Sequence, residues 1–260
     1  MSSRAEVVIV ASAFGVEQIL NDGHAVWAEV AANSCASGYE VRRELFNDDE
    51  SVSHDSLRVL GCKIRDLGMW TIFSTPATLF ADDGQLADVT LAEAIEQANA
   101  IGARILKLPL GGTEQGVERD HATFERLSTA LKQSKAKLLV ENGQLKAGGK
   151  ISSFVDLFSR ANDERVPLTM TFDIGNWVWA DQNPFEAARQ LAPNVSYIHC
   201  KAVHGSGARI FAAPPSREDV DFAALLLLFS RQLPRGIEFP FNPLAREAEA
   251  THYVKWLAEV

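Results

Sequence analysis

The chain reads as a single-domain α/β protein, a (β/α)8 barrel spanning residues 1–260. Three observations predict this. Eight short runs rich in β-branched and aromatic residues recur from end to end, helix-patterned segments separate them, and no Pro-, Gly- or Ser-rich linker interrupts the alternation. Strands that alternate with helices pair in parallel through right-handed crossovers, and eight such units in ~250 residues is the size at which the sheet closes on itself. An open doubly wound sheet is the rival. Against it, the first strand is followed by "AFGVEQILNDG", without the Gly-x-Gly-x-x-Gly turn of a dinucleotide crevice.

The strands are expected near 6–12, 39–46, 69–74, 104–109, 137–142, 167–173, 195–201 and 236–240. Helix starts lie between them. Thr90-Leu-Ala-Glu93 reads as a capping box before "AIEQANAIG", and Asn183-Pro184-Phe-Glu186 caps "AARQLA" with proline in the first turn. Gly102 is placed to end the first of these helices in a left-handed conformation.

Composition narrows the function classes. At 47% hydrophobic the chain can bury a sizeable core, and its net charge of −9 supplies no electrostatic footprint for nucleic acid or an anionic membrane. A small-molecule partner is expected, with a homo-oligomer compatible. Cys35, Cys62 and Cys200 are odd in number and form no Cys-x-x-Cys pattern, which fits a reducing, cytoplasmic setting rather than a disulfide framework. No segment approaches the roughly 20 apolar residues of a membrane span, "FAALLLLF" at 222–229 included, so a soluble, unprocessed chain is expected.

Polar residues close the later strands. "LLVENGQ" (138–144) carries Glu141, "MTFDIGN" (170–176) carries Asp173, "YIHCKAV" (197–203) carries His199 and Lys201, and "GIEFPFN" (236–242) carries Glu238. In a barrel the C-terminal strand ends share one face with the βα loops, so these side chains aim at a common point. A lone strand-end carboxylate is as readily half of a buried ion pair; three carboxylates and a histidine on four successive strands argue for more. Three carboxylates together repel unless a cation joins them, so Glu141, Asp173, His199 and Glu238 are expected to bind one divalent ion. Three oxygen ligands to one nitrogen favour Mn²⁺ or Mg²⁺, with Co²⁺ or Zn²⁺ as substitutes.

Here the chain resembles a known family. "VEN" at 140–142, "TFDIGN" at 171–176, "IHCKAV" at 198–203 and "IEF" at 237–239 look like the metal-site motifs of the sugar isomerase/epimerase group with the xylose-isomerase-like TIM barrel. "GYEVRREL" at 38–45 and "PPSREDVDFAALL" at 214–226 extend the likeness over the whole chain. The resemblance implies that Glu141, Asp173, His199 and Glu238 hold the cation and that the two glutamates also move protons. Two positions depart from it: Asn176 stands where many members have histidine, and Ala202 where many have aspartate after the lysine. Both bear on the substrate and not on the metal. The related apurinic endonucleases need a larger, histidine-rich cluster than the six histidines here allow, and the acidic charge also argues against DNA.

A divalent ion that chelates the hydroxyl and carbonyl oxygens of an α-hydroxyketone acidifies the C–H between them and stabilises the enediolate. Glu141 and Glu238, arriving from different strands, are the expected acid and base. The chain is thus read as a metal-dependent isomerase or epimerase of a small sugar or related polyhydroxy carbonyl compound. The alternatives are a dehydratase (lyase) of a keto-cyclitol or dehydroshikimate-like acid, and a non-catalytic sugar-binding protein. Lys201 and Lys107 are candidates to bind substrate oxygen or to neutralise nearby acids. Glu40, Arg42 and Glu44 read as an ion-pair ladder along one face of the second strand, with Glu44 nearest the substrate. Asn142 and Asn176 suit substrate hydroxyls or support of the ligands, Trp177 and Trp179 suit a sugar face or loop packing, and His204 suits a loop residue that contacts substrate.

Overall fold

A computed structural model of the chain describes residues 4–113, 116–205 and 210–260. Eight parallel strands close into a barrel: β1 (Val7–Val10), β2 (Gly38–Arg42), β3 (Trp70–Ser74), β4 (Ile105–Pro109), β5 (Lys137–Glu141), β6 (Thr169–Asp173), β7 (Val195–Cys200) and, after a short antiparallel hairpin of β8 (Ala202–His204) and β9 (Phe211–Ala213), β10 (Arg235–Ile237). Neighbours follow chain order, and β1 closes the ring by pairing with both β2 and β10. Helices separate consecutive strands, so this is the (β/α)8 TIM barrel that the sequence predicts.

Strand alternation sorts the side chains into two cores. Val8, Ile72, Ile105, Leu139 and Tyr197 point inward and fill the barrel, while Ile9, Val41, Phe73, Leu106, Val140, Phe172 and Ile198 point outward against the helices. The helix His54–Asp66 packs so closely on the helix Asp88–Ile101 that a Cβ on Gly61 would fall 1.9 Å from the Ile101 carbonyl oxygen. Among the described residues no helix is long and apolar enough to cross a membrane.

Local signals mostly hold. Asn183 Oδ1 accepts from the backbone N–H groups of Phe185 and Glu186, and Gly102 takes the left-handed conformation at φ 72°. Two expectations are corrected. The helix expected to start at Thr90 begins at Asp88, and the Thr90 hydroxyl donates to the Ala87 carbonyl from inside the first turn. The second strand, expected to reach residue 46, ends at Arg42 because Arg43–Leu45 winds into a 3-10 turn. Glu44 therefore lies off the ladder that carries Glu40 and Arg42.

A buried histidine ties β2 to the helix His24–Asn33. His24 Nε2 lies 3.1 Å from the Arg42 carbonyl oxygen, to which it must donate, leaving Nδ1 to accept from the Tyr39 hydroxyl at 3.4 Å. Burial holds its pKa down at about 4, against the pull of the Arg42 carbonyl. Since the folded pKa is depressed, the neutral ring contributes its full stability above the unfolded value near 6.5. That contribution is lost as pH falls towards 4, and amounts to about 3 kcal/mol. Between pH 7 and pH 4.5 the wild type should therefore lose more stability than His24→Gln in denaturant titrations. Equal losses would show that His24 does not titrate in this window.

Candidate metal centre

Glu141 ends β5, Asp173 ends β6, His199 sits one residue before the end of β7, and Glu238 follows β10. These strands are neighbours in the barrel wall, and Asp173 and His199 are direct register partners. All four side chains point inward at the C-terminal mouth. One ligand atom from each lies within 4.8 Å of every other. His199 Nδ1 is 2.8 Å from Glu141 Oε1, 3.0 Å from Glu238 Oε2 and 3.4 Å from Asp173 Oδ2. None of these approaches has hydrogen-bond alignment: Nδ1 and Glu141 Oε1 are buried with no hydrogen-bond partner, and Asp173 Oδ2 has the Lys201 ammonium beside it at 2.7 Å. Buried polar atoms are rarely left so. Three carboxylate oxygens and one imidazole nitrogen aimed at one point could hold a divalent cation, and the orphaned atoms are the ones it would satisfy.

Backbone-mimicking bonds hold Asp173. The Asn142 amide donates from Nδ2 to the Asp173 carbonyl at 3.0 Å and accepts the Asp173 N–H on Oδ1 at 2.9 Å, which prolongs the β5–β6 ladder past the end of β5. Asp173 Oδ1 caps the helix Ile174–Trp179 by accepting the Asn176 N–H at 2.9 Å, so only Oδ2 remains for the cluster. Asn176 Nδ2 donates to the Asn142 carbonyl at 2.8 Å. Both asparagines thus spend donors on the backbone around Asp173.

Three cations surround the four clustered residues. Lys107 Nζ lies 2.6 Å from Glu141 Oε2 and 3.3 Å from Glu40 Oε1, wholly inside the barrel. Lys201 Nζ bridges Asp173 Oδ2 at 2.7 Å and Glu238 Oε2 at 2.6 Å, and lies 5.4 Å from the centre of the Trp179 ring. Its stem needs Gly175, where a Cβ would come within 2.8 Å of Lys201 Cε and Cγ. Arg42 donates to Glu238 Oε1 at 2.8 Å and pairs with Glu44 at 2.6 Å.

These neighbours set the ionisation. Burial alone would raise the pKa of Glu141 and Glu238, but Lys107 and His199 bring the first down, and His199 and Lys201 bring the second well down. Asp173 is raised by burial, with Glu238 beside it adding to the effect and Lys201 offsetting only part. Burial disfavours a charged His199, yet Glu238 and Glu40 outweigh it and raise its pKa well above the usual value. The centre attracts positive charge at His199 Nδ1.

Other expected residues take different places. Trp177 is fully buried and packs against Phe154 and Phe172, so its ring belongs to the core and not to the mouth. Glu44 pairs with Arg42 at the rim, and His204 stands exposed on the hairpin beside Phe211, with ring centroids 6.4 Å apart. The sequence reading assigned Glu40 to a ladder with Arg42 and Glu44. Instead its carboxylate is fully buried, 2.9 Å from His199 Nε2, and takes the Tyr197 hydroxyl at 3.0 Å. The only sequence signal was inward alternation on β2, since the partner histidine is 159 positions away.

No family model and no curated protein matches the chain. Solved structures do. D-allulose 3-epimerase from Methylomonas sp. aligns over 98% of this chain and 97% of its own with a TM-score of 0.68 at 12% identity. The IolI protein crystallised with a zinc atom aligns over 97% and 96% with a TM-score of 0.69 at 12% identity. The probable 3-DHS dehydratase AsbF from Bacillus anthracis aligns over 97% and 98% with a TM-score of 0.65 at 11% identity. The chain has the fold of the xylose-isomerase-like TIM barrels.

Proposed function

We propose that the protein is a metal-dependent isomerase or epimerase of a small sugar or related polyhydroxy carbonyl compound. The observation that carries this reading is the convergence of Glu141, Asp173, His199 and Glu238 within 4.8 Å at the barrel mouth. The likeness to sugar epimerases supports it. A divalent cation held by these four, Mn²⁺ or Mg²⁺ for this donor set, would supply the positive charge that acidifies a C–H next to a carbonyl. The chain's own residues do the rest. Glu141 and Glu238 each keep one oxygen in the cluster and have a cation on the other, Lys107 and Arg42 respectively. The lowered pKa of each keeps it ionised at neutral pH, as a base must be. Arriving from β5 and from beyond β10, the two flank His199 and can remove a proton on one side and return it on another. Lys201, 5% exposed, is the ammonium placed to hold a substrate oxygen.

A second reading is a dehydratase acting on a cyclic keto acid. Arg42 and Lys201, which both pair with Glu238, form a cationic pair suited to a substrate carboxylate, and the likeness to AsbF supports it. Incubation with Mn²⁺ and a panel of ketoses and cyclic keto acids separates the two, because dehydration yields an ultraviolet-absorbing enone and isomerisation does not.

Two predictions follow from the site. Asp173→Ala should carry less Mn²⁺ by elemental analysis, and added Mn²⁺ should stabilise it less than the wild type, which gains ~2.7 kcal/mol at a hundredfold excess over Kd. Equal metal content in the two proteins would dismiss the centre. With Mn²⁺ in excess, Glu141→Gln and Glu238→Gln should each slow turnover on the order of 100-fold or more, and wild type in D₂O should place deuterium on the carbon beside the carbonyl. Wild-type rates in both variants would end the two-glutamate mechanism.

A further inference from the structure

We infer that Glu40 is a positioning residue for the metal centre, which fixes the nitrogen His199 presents to the ion; this rests on the proposed metal-dependent function. A carboxylate can only accept, so the 2.9 Å contact between Glu40 Oε2 and His199 Nε2 requires the proton on Nε2. The lone pair of a neutral ring is then on Nδ1, the atom that faces Glu141, Asp173 and Glu238. Without that acceptor the ring proton would be drawn to Nδ1, which three carboxylates face.

Glu40 is itself held from both sides. The Tyr197 hydroxyl donates to Oε2 at 3.0 Å, and Lys107 lies 3.3 Å from Oε1 while also reaching Glu141 at 2.6 Å. One ammonium thereby links the partner of the histidine ligand to a carboxylate ligand across the barrel. The backbone leaves room for this arrangement: a Cβ on Gly236 would fall 2.1 Å from the Tyr197 hydroxyl oxygen and 2.8 Å from His199 Cδ2. Burial keeps water from replacing any of these partners, since Glu40 and His199 are both fully buried. A histidine ligand whose second nitrogen donates to a carboxylate is oriented and made more basic, and loss of the carboxylate weakens metal binding about 10–100-fold.

The rival account makes Glu40 only the counter-ion of Lys107. Glu40→Gln separates the two, because the amide has a single acceptor oxygen for Lys107 and His199. Satisfying Lys107 turns the amide NH₂ towards Nε2 and moves the ring proton to Nδ1, the ligating atom. Mn²⁺ affinity, measured by competition with a fluorescent chelator, should fall about 10–100-fold. In Zn²⁺-loaded protein, the nitrogen NMR signal of a hydrogen-bonded His199 Nε2–H should be present in wild type and lost or shifted in the variant. Glu40→Leu/Lys107→Met, which removes the acceptor together with the ammonium, should not recover the affinity, as it would if Glu40 served only to neutralise Lys107. Should Glu40→Gln fail to fold, Tyr197→Phe decides instead: it frees one side of Glu40, so affinity should fall severalfold with a shifted Nε2–H signal. Wild-type affinity in the variant, or recovery in the double variant, would overturn the inference while leaving the metal-dependent reading standing. A wild type that binds no divalent ion would overturn both.

Discussion

Carboxylates forced together out of water must find positive charge, and at this barrel mouth they find it around one imidazole nitrogen. Glu141, Asp173 and Glu238 all approach His199 Nδ1 within 3.4 Å in a space from which solvent is nearly excluded. Desolvation opposes every one of those charges. The surrounding sequence answers that penalty: Lys107, Lys201 and Arg42 each lie against the cluster, and Gly175 and Gly236 leave the space that the Lys201 stem and the Tyr197–His199 pair occupy.

A network of buried ion pairs could in principle be structural alone. The lower half of the same barrel argues otherwise, because there the interior is closed by Val8, Ile72, Ile105 and Leu139. Apolar packing of that kind commonly equals or exceeds buried ion pairs in stability. The change from apolar to charged filling occurs along single strands, from Ile105 to Lys107 and from Leu139 to Glu141, two residues towards the C-terminal end. Stability does not call for that change. A site at the face where βα loops converge does.

The fold was legible because it depends on local pattern. Strand runs separated by helical segments set the (β/α)8 class, and seven of the eight strands lie within a few residues of their expected places; the second overran because "RREL" continues the alternation that the chain then breaks with a 3-10 turn. The four clustered residues stood out for a related reason, as polar residues at strand ends are unusual in buried parallel strands. What escaped depends on contacts across the ring. Glu40 looks like any alternating charge on β2 until the barrel closes and brings it to His199. Trp177 looks like a loop aromatic until the short helix after β6 turns it into the space between Phe154 and Phe172. The hairpin β8–β9 was missed because its strands are three residues long and interrupt the βα period.

Closure and charge balance are therefore one constraint. The four clustered residues come from β5, β6, β7 and the residue after β10, while the opposing charges come from β2, β4 and the residue following β7. Arg42 on β2 reaches Glu238 beyond β10 across β1, whose Val8 and Val10 carry no charge. Glu40 on β2 reaches past both β1 and β10 to His199 on β7. Both pairs depend on β1 holding β2 beside β10, so the closed ring also sets the counter-charges of the site. Barrel integrity and the disposition of the centre then rise and fall together. A local explanation of the four residues, strand by strand, leaves out the half of the cluster that stands opposite them.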